Sequence, residues 1–222
     1  VTAARRQGAE VVLHGENYDE AYARAREIEA ERSLVFVHPF DDLRVIAGQG
    51  TIGLELAAQV PDLETVLVPV GGGGLAAGTA VALKSRRSAV EVIGVQTDEL
   101  AAMKAAWASG ERVTVPPAPT IADGIAVRRV GEHTLALCRQ WVDQIVSVSE
   151  EEIANAILLL LEIEKTVVEG AGAVPLAALV NKKVAAAGKT VVLVLSGGNI
   201  DVNLISRIIE RGLVKDGRLV RL

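Results

Sequence analysis

An almost wholly apolar run, Thr65-Val66-Leu67-Val68-Pro69-Val70, passes directly into four consecutive glycines, Gly71 to Gly74, and then into a helical pattern that starts at Leu75. Apolar residues at nearly every position, rather than at every second one, mark a parallel strand covered on both faces. Such a strand needs a crossover helix to reach its neighbour, so the chain has to alternate β and α elements. A second run, Thr190 to Leu195, ends in the same manner in Ser196-Gly197-Gly198-Asn199. In one parallel sheet both turns fall at the carboxyl edge, where α/β folds bind their ligands.

The rest of the sequence fills in that alternation. Further strands are predicted at Glu10–Leu13, Leu34–Val37, Val90–Val95 and Ile145–Val148. Helices are predicted from Asn17, an N-cap with Glu20 three residues on, to Arg32, and from Val45 to Gln59. Others run from Leu75 to Lys84, Glu99 to Ala108 and Glu132 to Val142. Ser149 and Glu152 form a second capping box, opening a helix to about Lys165. Glu169-Gly170-Ala171-Gly172-Ala173 leads into a helix with Pro175 in its first turn and Gly188 just past its end, and Asp201 caps a last helix that stops at Gly212. Between these lies Ser109 to Gly131, with Pro116, Pro117 and Pro119; connections of that length are more often functional than idle. The expected fold class is a doubly wound, mostly parallel α/β sheet. Residues 1 to 8 read as the end of a helix, 215 to 218 as a turn and 219 to 222 as the beginning of a strand, so material is expected beyond both ends.

Composition narrows the function classes. Only 3% of the 222 residues are aromatic while 50% are hydrophobic, so the core must be built of Ala, Val, Leu and Ile. The net charge of −5, without a basic tract, argues against nucleic acid or an anionic membrane as partner, and no run of 18 apolar residues occurs. A small molecule is the expected partner. The single cysteine, Cys138, can form no internal disulfide and has no neighbour at metal-ligand spacing, which points to a reducing compartment and, by default, the cytoplasm.

Four residues without side chains let a backbone close on an oxyanion, with amide hydrogens and the positive end of the following helix aimed at it. Phosphate is the natural guest. A mononucleotide P-loop would need Lys and Ser or Thr after the glycines, where Leu75-Ala76-Ala77 stands instead. A dinucleotide site remains open, because Gly72-x-Gly74-x-x-Ala77 follows a strand and Asp98 follows the next one. Gly48-Gln49-Gly50-Thr51-Ile52-Gly53 matches the dinucleotide fingerprint in letters only, lacks a closely preceding strand and reads as helix packing. Ser196 has no glycine two residues before it, so a nucleophile elbow is excluded, and His14, His38 and His133 stand singly. Glu169 serves either as an acid favoured by a helix N-terminus or as a site residue, and Asp123 either as a turn residue or as part of a functional loop.

With these residues in hand the sequence resembles the tryptophan-synthase-β-like group of pyridoxal-phosphate enzymes, and within it the threonine dehydratases, with serine racemases and serine dehydratases close by. The strings that carry the resemblance are His38-Pro39-Phe40-Asp41-Asp42, Ala47-Gly48-Gln49-Gly50-Thr51, Gly71 to Leu75, Ile121-Ala122-Asp123-Gly124, Glu169 to Ala173 and Ser196-Gly197-Gly198-Asn199, in the family's order. The resemblance implies pyridoxal 5'-phosphate as cofactor, its phosphate held by the amides of Gly71, Gly72, Gly73, Gly74 and Leu75, and its pyridine nitrogen hydrogen-bonded to Ser196. Gly124 and Glu169 would lie beside the ring, Glu169 in a supporting role. A neutral serine does not keep the pyridine nitrogen protonated, which suits β-elimination of threonine to 2-oxobutanoate and ammonia, or of serine to pyruvate and ammonia.

The resemblance also implies what this sequence lacks. The family's Schiff-base lysine and its Ser-Ser-Gly-Asn-His substrate loop lie upstream of the position of Val1, and Lys84, Lys104, Lys165, Lys182, Lys183, Lys189 and Lys215 match neither. This polypeptide alone is therefore expected to bind the cofactor weakly and not to turn over, with residues 1–41 a remnant of a small domain, 42–213 the core of the large cofactor-binding domain and 214–222 the start of a further extension. No metal is expected, since the two positions where serine racemases hold a cation carry Gln96 and Ala102. A homodimer or homotetramer acting on a small amino acid is the implied assembly. A serine racemase or serine dehydratase, a non-catalytic fragment and a nicotinamide-dependent oxidoreductase are the alternatives.

Overall fold

The computed structural model describes residues 1–15 and 18–215. The predicted cap at Asn17 and the closing turn and strand over 216–222 lie outside the described residues. The chain divides into two compact units, Val1–His38 and Pro39–Leu222.

The first unit holds α1 (Thr2–Arg6) and α2 (Tyr18–Arg32). Gly8 follows α1 at φ +84°, the left-handed conformation that suits a glycine past a helix end. Tyr22 meets Phe36 edge-on at 5.4 Å and His38 at 5.8 Å, and the Arg26 guanidinium lies 5.0 Å from the Phe36 ring. The strands predicted at Glu10–Leu13 and Leu34–Val37 are not formed. A strand exists through its ladder, and among the described residues neither segment has a pairing partner; Val35 is 83% exposed.

The second unit alternates as expected: α3 (Leu43–Gln59), β1 (Thr65–Pro69), α4 (Gly74–Arg86), β2 (Glu91–Thr97), α5 (Ala102–Ser109), α6 (Glu132–Trp141), β3 (Gln144–Val148), α7 (Glu150–Leu159), α8 (Gly170–Val180), β4 (Val191–Leu193) and α9 (Val202–Lys215). All pairings in the sheet are parallel, in the order β3-β2-β1-β4. Alternate residues of β1 serve opposite faces. Val66 and Val68 pack with Ile46 of α3, Leu83 of α4 and Cys138 of α6, whereas Leu67 packs with Ile153 of α7 and Val174 of α8. Small residues bring α3 and α4 together: a Cβ at Gly50 would lie 3.2 Å from the Gly78 carbonyl oxygen and one at Gly53 would run into the Thr79 carbonyl, so these two glycines belong to a helix interface, whereas Gly48 is exposed with nothing within 4 Å of a Cβ there.

Several predicted boundaries move, each for a local reason. The helix after β2 is broken, a 3-10 turn over Asp98–Leu100 preceding α5. The helix opened by Ser149 is α-helical only to Leu159 and then widens into a π-turn over Leu160–Glu164, closed by Lys165 at φ +58°. Glu169 is the N-cap of α8, which places Pro175 in the second turn rather than the first, and Asn181, not Gly188, ends that helix. The strand predicted as Thr190 to Leu195 is ladder-paired only over Val191–Leu193 and half-buried, because it pairs on one side only. The last helix passes through Gly212 to Lys215, its start capped by the Asp201 carboxylate on the Asn203 N–H at 2.7 Å. The second capping box is complete: Ser149 Oγ accepts the Glu152 N–H at 3.3 Å and Glu152 Oε2 accepts the Ser149 N–H at 2.8 Å.

Candidate functional site

Strand order places the site. The chain lays β1, β2 and β3 outward in one direction and then returns to set β4 on the other side of β1, so the order reverses between β1 and β4. At such a reversal the connections leave in opposite directions and open a crevice at the carboxyl ends of the strands. Both glycine turns flank that crevice. Leu67 is level with Leu193, and the Val194 N–H donates to the Leu67 carbonyl at 3.0 Å, so Gly71 and Ser196 follow the carboxyl ends of two neighbouring strands.

The Gly71–Gly74 turn becomes the start of α4. Gly73 is its N-cap at φ +99°, where a side chain would be strained and a Cβ would run into Met103 Cε and come 3.0 Å from Thr134 Cβ. An N-cap glycine offers no oxygen to the first amides of its helix, so Gly74, Leu75 and Ala76 carry N–H groups with no intrahelical acceptor. These donors at the positive end of a 13-residue helix form a cradle suited to an oxyanion. The Phe40 ring lies against Gly72 and the Phe40 backbone against Gly74, while Ile125 closes on Gly71. From below, Gln96 fixes the last residue before the turn: its Nε2 donates to the Val70 carbonyl at 3.1 Å and its Oε1 accepts the Lys104 N–H at 2.8 Å. The Gln96 amide is thus engaged in holding the turn, and Ala102 is buried at the start of α5.

The second turn is organised by Glu169. Although it is the N-cap of α8, its side chain makes no capping bond to that helix. Glu169 Oε2 accepts the Asn199 N–H at 2.9 Å, its own N–H donates to the Gly197 carbonyl at 3.0 Å, and Oε1 sits where a Cβ on Gly124 or Gly197 would be within 2.9 Å of it. Glu169, Gly124 and the Ser196–Asn199 turn therefore meet at one place, with Ser196 exposed. Gly124 lies in a 3-10 turn, Asp123–Ile125, inside the long connection. Asp123 there is a turn residue whose carboxylate accepts the Gly124 N–H at 2.9 Å.

Five of the lysines are engaged: Lys84 with Asp143, Lys104 with Ser147, Lys165 with the Glu162 carbonyl, Lys183 with Glu152 and Lys189 with Glu91. Among the described residues no group of three or more His, Cys, Asp or Glu side chains could hold a metal, and no helix is long and apolar enough to cross a membrane. Residues at the site that sequence reasoning did not assign to it are Phe40, Asp41 and Ile125. One signal existed: Gly131 opens α6 without a capping side chain, so a cap had to come from elsewhere, and Asp41 provides it.

Comparison with known proteins completes the picture. Residues 1–197 match the family described as pyridoxal-phosphate dependent enzyme. The chain is 54% identical over 220 residues to an L-threonine ammonia-lyase of Thermotoga maritima, covering 99% of this chain, and 53% identical over 222 residues to one of Geobacter sulfurreducens, covering all of it. It spans 55% of the length of each of these two relatives. Among solved structures it superposes with TM-score 0.86 on the processed form of threonine deaminase isoform 2 from Solanum lycopersicum, at 37% identity, covering 94% of this chain and 62% of that one. The dinucleotide reading of Gly72-x-Gly74-x-x-Ala77 is thereby replaced: a glycine turn that receives one phosphate group serves either cofactor equally well by its letters, and the whole-chain match decides between them. With its parallel sheet, its paired glycine turns and this match, the chain belongs to the family of pyridoxal-phosphate-dependent enzymes.

Proposed function

We propose that this chain is the cofactor-holding part of an L-threonine ammonia-lyase, with L-serine as a second substrate, forming 2-oxobutanoate or pyruvate and ammonia. The observation that carries the reading is the placement of Gly71–Leu75 and Ser196 on either side of the β1–β4 reversal, in a chain whose relatives bear that name.

Pyridoxal phosphate, when bound, supplies a carbonyl for the substrate's amino group and an electron sink for charge developing at its α-carbon. The residues present fit it. The side-chain-free cradle would hold the phosphate through the amides of Gly71 to Gly74 and Leu75, and the Ser196 hydroxyl would hydrogen-bond the pyridine nitrogen as a neutral partner. Gly124 and Glu169 would flank the ring. The Glu169 carboxylate, fixed by the Asn199 N–H, is a support for the adjacent turn and a charge beside the site. No lysine of this chain is proposed as the cofactor's anchor. That amine acts as covalent anchor and proton carrier, and it is proposed to lie outside residues 1–222, so this polypeptide alone would bind weakly and not turn over.

The same reading takes a free amino acid as partner, a dimer or tetramer as assembly, and the cytoplasm as compartment. The single cysteine, Cys138, present as a free thiol, supports the last. The test is the full-length protein with pyridoxal phosphate added: 2-oxobutanoate is expected from L-threonine, with pyruvate from L-serine slower. Cofactor bound without either product would overturn the lyase reading and leave the family assignment standing. Formation of D-serine in excess of pyruvate would replace the lyase by a racemase.

A further inference from the structure

The long connection from Ser109 to Gly131 is fastened at two places. At its base Thr114 bridges Arg129, and the Val115 N–H donates to the Arg128 carbonyl at 2.9 Å. At its far end the carboxylate of Glu150, the first residue of α7, gathers three donors. Oε1 accepts the Thr97 hydroxyl at 2.9 Å and the Thr120 hydroxyl at 2.7 Å, and Oε2 accepts the Ile121 N–H at 2.7 Å. Each threonine oxygen in turn takes a backbone N–H, Glu99 at 3.3 Å and Ala122 at 3.0 Å, so the carboxylate ties the end of β2 to the start of the segment 120–125.

That segment touches both halves of the site. Ile121 abuts Gly170, Gly124 abuts Glu169 and Ala171, and Ile125 abuts Gly71 of the phosphate cradle. Neither Gly124 nor Ile125 is bonded to Glu150, so the carboxylate can act on the site only by fixing the backbone between them.

We propose that Glu150 is a positioning residue of the cofactor site, which holds Ile121–Ile125 as the wall between the Gly71 turn and Glu169. The proposal rests on the reading of that site as a pyridoxal-phosphate pocket. A carboxylate is the group this place requires. It accepts on both oxygens and donates nothing, and charge-assisted bonds to three donors are about twice as strong as neutral ones. An amide of the same shape would turn an NH2 towards one of the donors.

The test compares Glu150→Ala, Glu150→Gln and Glu152→Ala in the full-length protein. Glu152 belongs to the same helix start but bonds only Ser149 and Lys183, so its loss reports on the helix alone. Pyridoxal-phosphate affinity is read by fluorescence titration, and the fixing of the segment by the rate of tryptic cleavage after Arg112 and Arg128. Glu150→Ala is expected to weaken cofactor binding by about tenfold or more and to speed cleavage similarly, with Glu150→Gln between it and wild type. Glu152→Ala is expected to lower Tm while leaving both readouts within about twofold. Glu150→Ala and Glu150→Gln proteins that bind and resist trypsin like wild type overturn the proposal, as does a Glu152→Ala protein that loses affinity to the same extent. Should Glu150→Ala not fold, Glu150→Gln decides alone. A wild-type protein that binds no pyridoxal phosphate defeats the functional reading instead, and the cleavage rates then decide separately whether Glu150 holds the segment.

Discussion

Asp41 and Thr134 stand 93 residues apart in sequence, and the Asp41 carboxylate accepts the Thr134 N–H at 3.0 Å, with the Glu132 N–H at 2.9 Å on its other oxygen. One side chain from the segment before α3 thus caps α6, and the neighbouring Phe40 is thereby set against Gly72 and Gly74. Replacing Asp41 by Ala strips two amides of their acceptor. An expected loss of about 1–2 kcal/mol in urea unfolding follows, with a weaker hold on pyridoxal phosphate because Phe40 is no longer tethered. A variant with unchanged affinity would show that Phe40 keeps its place without the cap.

Gly73→Ala forces a side chain into a left-handed residue against Met103 and Thr134. A cost of about 1–3 kcal/mol for the backbone alone is expected, with cofactor binding lost before folding is. Equilibrium unfolding and fluorescence titration on the same preparation separate the two effects.

Ser149→Ala removes the hydroxyl half of the capping box of α7. About 1 kcal/mol of stability is expected to go, read as a lower urea midpoint, while cofactor affinity stays at the wild-type value because Glu150 keeps its three donors. Loss of affinity here would mean that the helix start and the Glu150 clamp are one unit.

The Cys138 thiol has its ionisation raised from 9.0 to about 12 by burial alone. The sign follows from linkage: a group with a raised folded value contributes stability that is complete below the unfolded value and is lost as pH climbs towards the folded one. Between pH 9 and 12 the wild-type protein is expected to lose stability relative to Cys138→Ala, measured as a shrinking difference in urea midpoints. At neutral pH the folded thiol is expected to resist iodoacetamide. Rapid alkylation of the native protein would contradict the burial.

The sheet was legible because apolar runs at Thr65–Val70 and Val90–Val95 admit little but a doubly covered strand, and their alternation with helices left one fold class. The Ser149 and Glu152 box was legible for the same kind of reason, both partners lying within one turn. Leu34–Val37 misled, since its β-branched residues satisfy a strand's letters while strand formation depends on a neighbour that a local window does not contain. Pro175 stands in the second turn because α8 begins after Glu169, whose N–H is bonded to the Gly197 carbonyl far along the chain, a contact that proline's first-turn preference does not reflect. The candidate residues Gly71 to Gly74, Glu169 and Ser196 were visible as unusual local strings. Asp41, Ile125 and Glu150 were not, because each acts through a partner 29 or more positions away and looks ordinary where it stands.

The setting of β4 beside β1 has a consequence for how such a protein is made. Thr65 and Val191 are level neighbours, so the crevice gains its second wall only after some 126 further residues have been synthesised. A nascent chain released earlier carries the glycine turn on a bare sheet margin, exposed to pairing with any other extended segment. A cofactor bound in the crevice as proposed would meet a closed receptacle only late, and its capture would reward completion of the fold rather than guide the first steps towards it.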